Sequence, residues 1–150
     1  MAIKSNAQLS LNDVSIGFLN FEGRTDQYNK DGGRGFVIFL NEGLARRMAD
    51  DGFNVKWPKP KDDIDPEDDR RNPYLSVTVS NDHKDVNPSV RVFLVDGPDA
   101  EPERIGNDNL AIIDTLDISH ANVIINPYVW DVNGKQGVKA YLKAIQIYVT

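Results

Sequence analysis

The sequence predicts a mostly β protein folded as a small barrel with one short helix, and three features carry that expectation. Apolar and polar residues alternate over several short runs, the signature of half-buried strands. Turn signals separate these runs, the plainest being Asn133-Gly134. The last run changes the parity of its apolar positions part-way along, as a strand does when it bulges to turn a barrel corner.

From Leu11 to Phe18, apolar Val14, Ile16 and Phe18 alternate with Asp13, Ser15 and Gly17, which places Phe18 on the buried face of a first strand. A second strand, Phe36 to Leu40, follows, and Gly32-Gly33 is expected to close the long hairpin between the two. Asn41 is placed to cap a helix over Glu42 to Asp50, with Leu44, Ala45 and Met48 on one stripe, Glu42 in the first turn and Gly52 as the stop. The alternation Phe53-Asn54-Val55-Lys56-Trp57 predicts another strand, ended by Pro58-Lys59-Pro60 because proline gives no ladder donor. Lys61 to Asn72 has almost no apolar side chain and is expected to be a mobile, exposed acidic loop. Tyr74 to Ser80 and Val90 to Val95 read as strands joined by a polar loop ending at Asn87-Pro88, and Gly97 to Asn109 as further acidic loop. Asn122 to Trp130 and Gly137 to Thr150 form the hairpin around Asn133-Gly134. In its second arm Val138, Ala140 and Leu142 share one parity, and Ile145, Ile147 and Val149 the other. Two hairpins bracketing a meander, a short helix and a bent final strand fit an OB-type barrel. A β-sandwich with the same strands is the alternative, because alternation does not reveal strand order.

At 150 residues the chain is long enough to bury roughly two-thirds of its unfolded surface in one core, so residues 1–150 are read as a single domain. Its 40% hydrophobic and 27% charged content argues for a folded protein rather than a disordered one. The absence of cysteine removes disulfides, thiol nucleophiles and thiolate-bound zinc. Met1-Ala2-Ile3-Lys4-Ser5-Asn6 lacks an apolar targeting region and no stretch has the ~20 apolar residues of a membrane span, so a cytosolic protein with no membrane partner is expected. The net charge of −6 is unevenly spread. Residues 1–61 carry 9 basic and 7 acidic side chains, residues 62–119 carry 5 and 15, and residues 120–150 carry 3 and 1. If the two ends of the chain pair into one surface, that surface can be positive while the whole stays acidic.

Covalent chemistry finds little support. His83 and His120 lie in polar surroundings outside any catalytic motif, and there is no Gly-x-Ser-x-Gly elbow, Walker loop or His-Glu-x-x-His. Gly32-Gly33-Arg34-Gly35 could approach a phosphate, but reads more simply as a hairpin turn. Asp63, Asp65 and Glu67 alternate like oxygen ligands of a calcium loop, yet the sixth-position glycine and distal glutamate are missing and Pro66 interrupts the register. No enzyme, cofactor or metal site is therefore expected. The stronger constellation is Lys139-Ala140-Tyr141-Leu142-Lys143, which sets an aromatic between two cations on the face opposite Val138, Ala140 and Leu142. That pattern suits a polyanion with flat bases, since single-stranded nucleic acid is held by stacking plus cations along its phosphates. Across the hairpin stand Tyr128 and Trp130, with Lys135 in the turn. Arg24, Tyr28, Lys30, Arg34, Phe36, Lys56 and Trp57 repeat the mixture, Phe36 and Trp57 being the two most expected to pack in the core.

Phe18-Leu19-Asn20-Phe21-Glu22-Gly23, Tyr28-Asn29, Gly33-Arg34-Gly35-Phe36, Gly52-Phe53-Asn54-Val55-Lys56, Ile124-Ile125-Asn126-Pro127-Tyr128-Val129-Trp130 and Gly137-Val138-Lys139-Ala140-Tyr141-Leu142 together resemble bacteriophage-encoded single-stranded DNA-binding proteins of the OB-fold type. The resemblance covers roughly residues 14–57 and 122–149 and implies a non-catalytic, sequence-tolerant binder that protects strands exposed in phage DNA replication and recombination, in the cytoplasm of the infected host. Under it Lys139, Lys143, Arg34, Lys56 and Arg24 meet phosphates, with Lys30 and Lys135 beside them, while Tyr141, Tyr128, Trp130 and Tyr28 stack bases and Trp57 flanks them. Single-stranded DNA is the implied partner, with phage replication or recombination proteins and a homo-oligomer as further interactions to test. Many such proteins recruit enzymes through an acidic C-terminal tail. Here Ile145 to Thr150 reads as strand and the acid lies at Asp62–Asp69, so that role is not carried over. Two rival readings are a virion or carbohydrate-binding β-module, which needs aromatics but no flanking lysines, and a metal-dependent nuclease using the Asp62–Asp69 carboxylates.

Overall fold

The computed structural model describes residues 8–25, 27, 30, 33–68, 71–79 and 90–150. Their order is β1 (Leu9–Asn20), β2 (Arg34–Phe39), α1 (Glu42–Asp50), β3 (Val55–Lys56), β4 (Tyr74–Val79), β5 (Arg91–Asp96), β6 (Glu103–Ile105), β7 (Ile118–Val132) and β8 (Lys135–Val149). Two 3-10 helices, Pro66–Asp68 and Asn107–Thr115, complete it. Gly32, Tyr28, His83 and part of the acidic run, Asp69-Arg70, lie outside the described residues.

Hydrogen bonding runs β3-β4-β2-β1-β7-β8-β5-β6, and an added pairing of β4 with β8 closes β1, β2, β4, β8 and β7 into a ring. The closing contact is parallel, Thr78 against Tyr141, whereas β1 pairs antiparallel with β2 and β7, β2 with β4, and β7 with β8. A closed five-stranded ring is an OB-type barrel, which excludes the sandwich alternative.

Inward positions fill the barrel with Phe36, Ile38, Leu75, Val77, Ile125 and Leu142, and Phe21 stacks on Phe36 with centroids 5.4 Å apart. Helix α1 starts where Asn41 Oδ1 accepts from the Leu44 N–H at 2.8 Å, buries Ala45 and Met48, and ends before Gly52 at φ +99°. The 3-10 helix Asn107–Thr115 adds Leu110 and Ile113 to the same core. The parity change in β8 is a bulge: pairing moves from Ile125–Leu142 to Ile124–Ala144 and skips Lys143. Leu142 and Ile145 both point inward as a result, which bends the strand around the barrel. Asn133 at φ +52° and Gly134 at φ +79° form the two-residue turn that joins β7 to β8.

Four expectations are corrected. Phe18 is not on the buried face: its φ of +47° breaks the alternation of β1 and leaves it 72% exposed, and Phe21 takes the interior place. Trp57 is 44% exposed rather than core, since the strand predicted over Phe53 to Trp57 shrinks to the two residues of β3. Gly97 to Asn109 is not all loop, because β6 pairs with β5 there. The expected meander of β4 and β5 does not form: β5 lies instead parallel to the second half of β8.

Candidate nucleic-acid interface

Long antiparallel arms explain how β7 and β8 present side chains. Along β7, Ala121, Val123 and Ile125 point inward, so Asn126, Tyr128 and Trp130 point out; before its bulge β8 turns Val138, Ala140 and Leu142 in and Lys139 and Tyr141 out. Register then makes cross-strand neighbours of Tyr128 and Lys139, of Asn126 and Tyr141, and of Trp130 and Gly137. The Lys139 ammonium lies 5.1 Å from the centre of the Tyr141 ring, a cation held over an aromatic face. Tyr128 meets Tyr141 edge-on at 6.2 Å and 85°. Trp130 lies over Gly137, where an added Cβ would stand 2.5 Å from the indole. Only glycine lets the indole settle there. Tyr128 is 58% and Trp130 36% exposed, an arrangement that leaves ring surface open beside an ammonium.

A cleft of about 590 Å³ opens beside this group, and Asn54, Ser76, Thr78, Trp130 and Lys139 are among its lining residues. Among the described residues no Asp or Glu lines it. Ser76 and Thr78 share the outward parity of Tyr74 on β4, where a second aromatic group lies. Phe18, Phe39 and Tyr74 stand there with centroids 5.9 to 6.3 Å apart, and Lys56 is the cross-strand neighbour of Tyr74. Arg46 lies 6.0 Å from the ring of Trp57, next along the chain. These three rings were not among the sequence candidates. Phe39 and Tyr74 read as ordinary strand hydrophobics, and only the backbone reversal at Phe18, which no sequence pattern announces, turns that ring outward.

Of the sequence candidates, Tyr128, Trp130, Lys139 and Tyr141 gather on one face, with Lys143 half-buried at the adjoining bulge and Lys135 exposed beyond the turn. Lys56 and Trp57 are exposed, Lys56 beside Tyr74 and Trp57 beside Arg46. Arg34 pairs with Val79 and shares the strand parity of inward-facing Phe36 and Ile38, so it falls on the opposite side of β2 from the row Gly35–Thr78–Tyr141. Lys30 is exposed in the β1–β2 connection, and Tyr28 lies outside the described residues. Arg24 is held by its own loop: it donates to the Leu19 carbonyl at 2.9 Å and lies 3.9 Å from both Asp114 and Glu22. Around it the root of that loop is fastened twice. The Phe21 and Glu22 N–H groups donate to the two oxygens of Asp114 at 2.9 and 3.0 Å, and those of Gly23 and Arg24 donate to Asn20 Oδ1 at 3.1 and 2.9 Å. His120, by contrast, stacks on Tyr148 with centroids 4.4 Å apart, at the end of the β7–β8 hairpin far from its turn.

Rings, ammonium groups and hydroxyls of this kind bind rather than react. Among the described residues no three of His, Cys, Asp and Glu are grouped to hold a metal ion, and no helix is long and apolar enough to cross a membrane.

A family model described as "Putative phage ssDNA-binding domain" matches residues 2–150. In fold the chain is similar to the single-stranded DNA-binding protein from bacteriophage Enc34. With a C-terminally truncated form of that protein it shares 11% identity at a TM-score of 0.57, over 98% of this chain and 87% of that one. With the form in complex with ssDNA it shares 14% identity at a TM-score of 0.55, over 98% and 88%. No curated protein sequence matches it. Barrel, open rings beside lysine and a family match over nearly the whole chain agree, and the chain belongs to the phage single-stranded DNA-binding domain family, a family of binding and not of catalytic proteins.

Proposed function

We propose that this chain coats single-stranded DNA without reading its sequence, protecting strands exposed during phage DNA replication and recombination in the infected cell. The observation that carries the proposal is the outer face of the β7–β8 hairpin, where Tyr128 and Trp130 are exposed and the Lys139 ammonium lies over the half-buried Tyr141 ring, beside a cleft that no carboxylate of the described residues lines. Bases would stack on these rings, each worth about 1–3 kcal/mol. Lys139, Lys143, Lys135 and Lys56 would meet phosphates, with Lys30, Arg34 and Arg24 as further cations toward the β1–β2 connection. Stacking is indifferent to base identity because every base has a π-face, which supports sequence tolerance. The single-stranded DNA in the complex of the similar phage protein supports the ligand class.

Titration of a fluorescent oligonucleotide, single- against double-stranded, at two ionic strengths tests this. Preference for the single strand, with affinity falling steeply as salt rises, is the expected result, because neutralised phosphates release counterions. Equal affinity for both forms, or an affinity indifferent to salt, would overturn it.

A further inference from the structure

The hairpin that β5 and β6 add to the barrel carries the same arrangement of cation and ring as β8, on a surface continuous with it. On β5, Val92 points into the core opposite Ile145, so Arg91 and Phe93 point outward, opposite Ala144 and Gln146 of β8. On β6, Arg104 is the cross-strand partner of Phe93. Phe93 thus has a guanidinium two residues before it on its own strand and another directly across. Both arginines are exposed and Phe93 is half-buried, yet it is not among the residues packed on the core, whereas its neighbour Leu94 is. The two carboxylates on these strands, Asp96 and Glu103, fall on the opposite parity. Arg91 and Arg104 have no ion pair with any described residue, although they belong to the most acidic third of the sequence.

Continuity comes from the β8 bulge. Leu142 and Ile145 point inward, leaving Lys143 and Ala144 together on the outside, and Ala144 is the register partner of Arg91. The outward series runs Tyr141, Lys143, Arg91, Phe93, Arg104, and among the described residues of these strands no acid intervenes.

We propose that the β5–β6 hairpin is a second binding segment, on which Arg91 and Arg104 hold phosphates and Phe93 takes a base of a strand that has left the barrel across Lys143. This rests on the single-strand reading of the β7–β8 face and extends it to a longer path, with two additional strand spacings, about 10 Å, beyond β8. The alternative, that these are solvated surface arginines, makes a different prediction for ligand length.

The test uses the whole chain, the double variant Arg91→Gln/Arg104→Gln, and fluorescent oligo-dT of about 4 and about 16 nucleotides, the two ends of the range one OB barrel covers. The wild type should show a steeper salt dependence on the longer oligonucleotide. The double variant should bind the short one like the wild type, and on the long one its log affinity against log salt slope should fall by about 1.4, two phosphates at about 0.7 each on a single strand. An unchanged slope on the long oligonucleotide, or equal weakening on both, would overturn the second segment. A wild type whose slope is independent of length would overturn it too while leaving the barrel site standing. A wild type that binds neither would remove the single-strand reading and this extension with it.

Discussion

Tyr141 is the residue on which the interface turns, because it touches three of its parts: the Lys139 ammonium over its ring, the edge of Tyr128, and Thr78 across the barrel closure. Its ring points out of the barrel, so Tyr141→Ala should cost about 1–3 kcal/mol of DNA binding and leave the unfolding midpoint nearly unchanged; oligonucleotide titration and thermal melting check the two halves. A melting point that collapses would show the ring to be part of the core. Lys139→Gln should lower the salt slope by about 0.7, the share of one phosphate on a single strand. At this scale the outward placement of Lys139 and Tyr141 was legible in the sequence, because two lysines flanking a tyrosine resist burial. Phe18 and Trp57 were not legible. Alternation assigns a ring to a face only while the backbone stays extended, and the positive φ at Phe18 and the brevity of β3 each break that condition.

Two local devices position these side chains. The Asn133-Gly134 turn needs φ > 0 at both residues, which sets the register that places Tyr128 beside Lys139. Gly134→Ala adds a Cβ in a left-handed conformation and should destabilise the protein by about 1–2 kcal/mol in denaturant unfolding. Asp114 ties the 3-10 helix of residues 107–115 to the root of the β1–β2 connection through the Phe21 and Glu22 N–H groups, with its own side chain only 6% exposed. Asp114→Ala leaves the partly buried Phe21 donor unpaired and should cost about 1–3 kcal/mol of stability, measured as a lower unfolding midpoint. Turn, bulge and helix cap were all readable, since each depends on residues close in sequence. The parallel pairings of β8 with β4 and β5 were not, since they join segments far apart, and β6 was hidden because its short run, Glu103-Arg104-Ile105, is mostly charged.

Across the whole molecule, closure of the barrel decides the electrostatics. It brings β8, which carries Lys135, Lys139 and Lys143, against β4 and the cleft, while the exposed acid of residues 61–68 lies in the connection between β3 and β4. A chain of net charge −6 can therefore offer a local cationic face while its overall charge opposes indiscriminate association with polyanions. If bases rest on the rings of the β7–β8 hairpin, Trp130 must sense them, and the chain's two tryptophans make that readable. In Trp57→Phe the remaining indole is Trp130, so added oligo-dT should quench its fluorescence in a saturable manner that high salt reverses. Bound oligonucleotide that leaves the Trp130 emission unchanged would contradict the account.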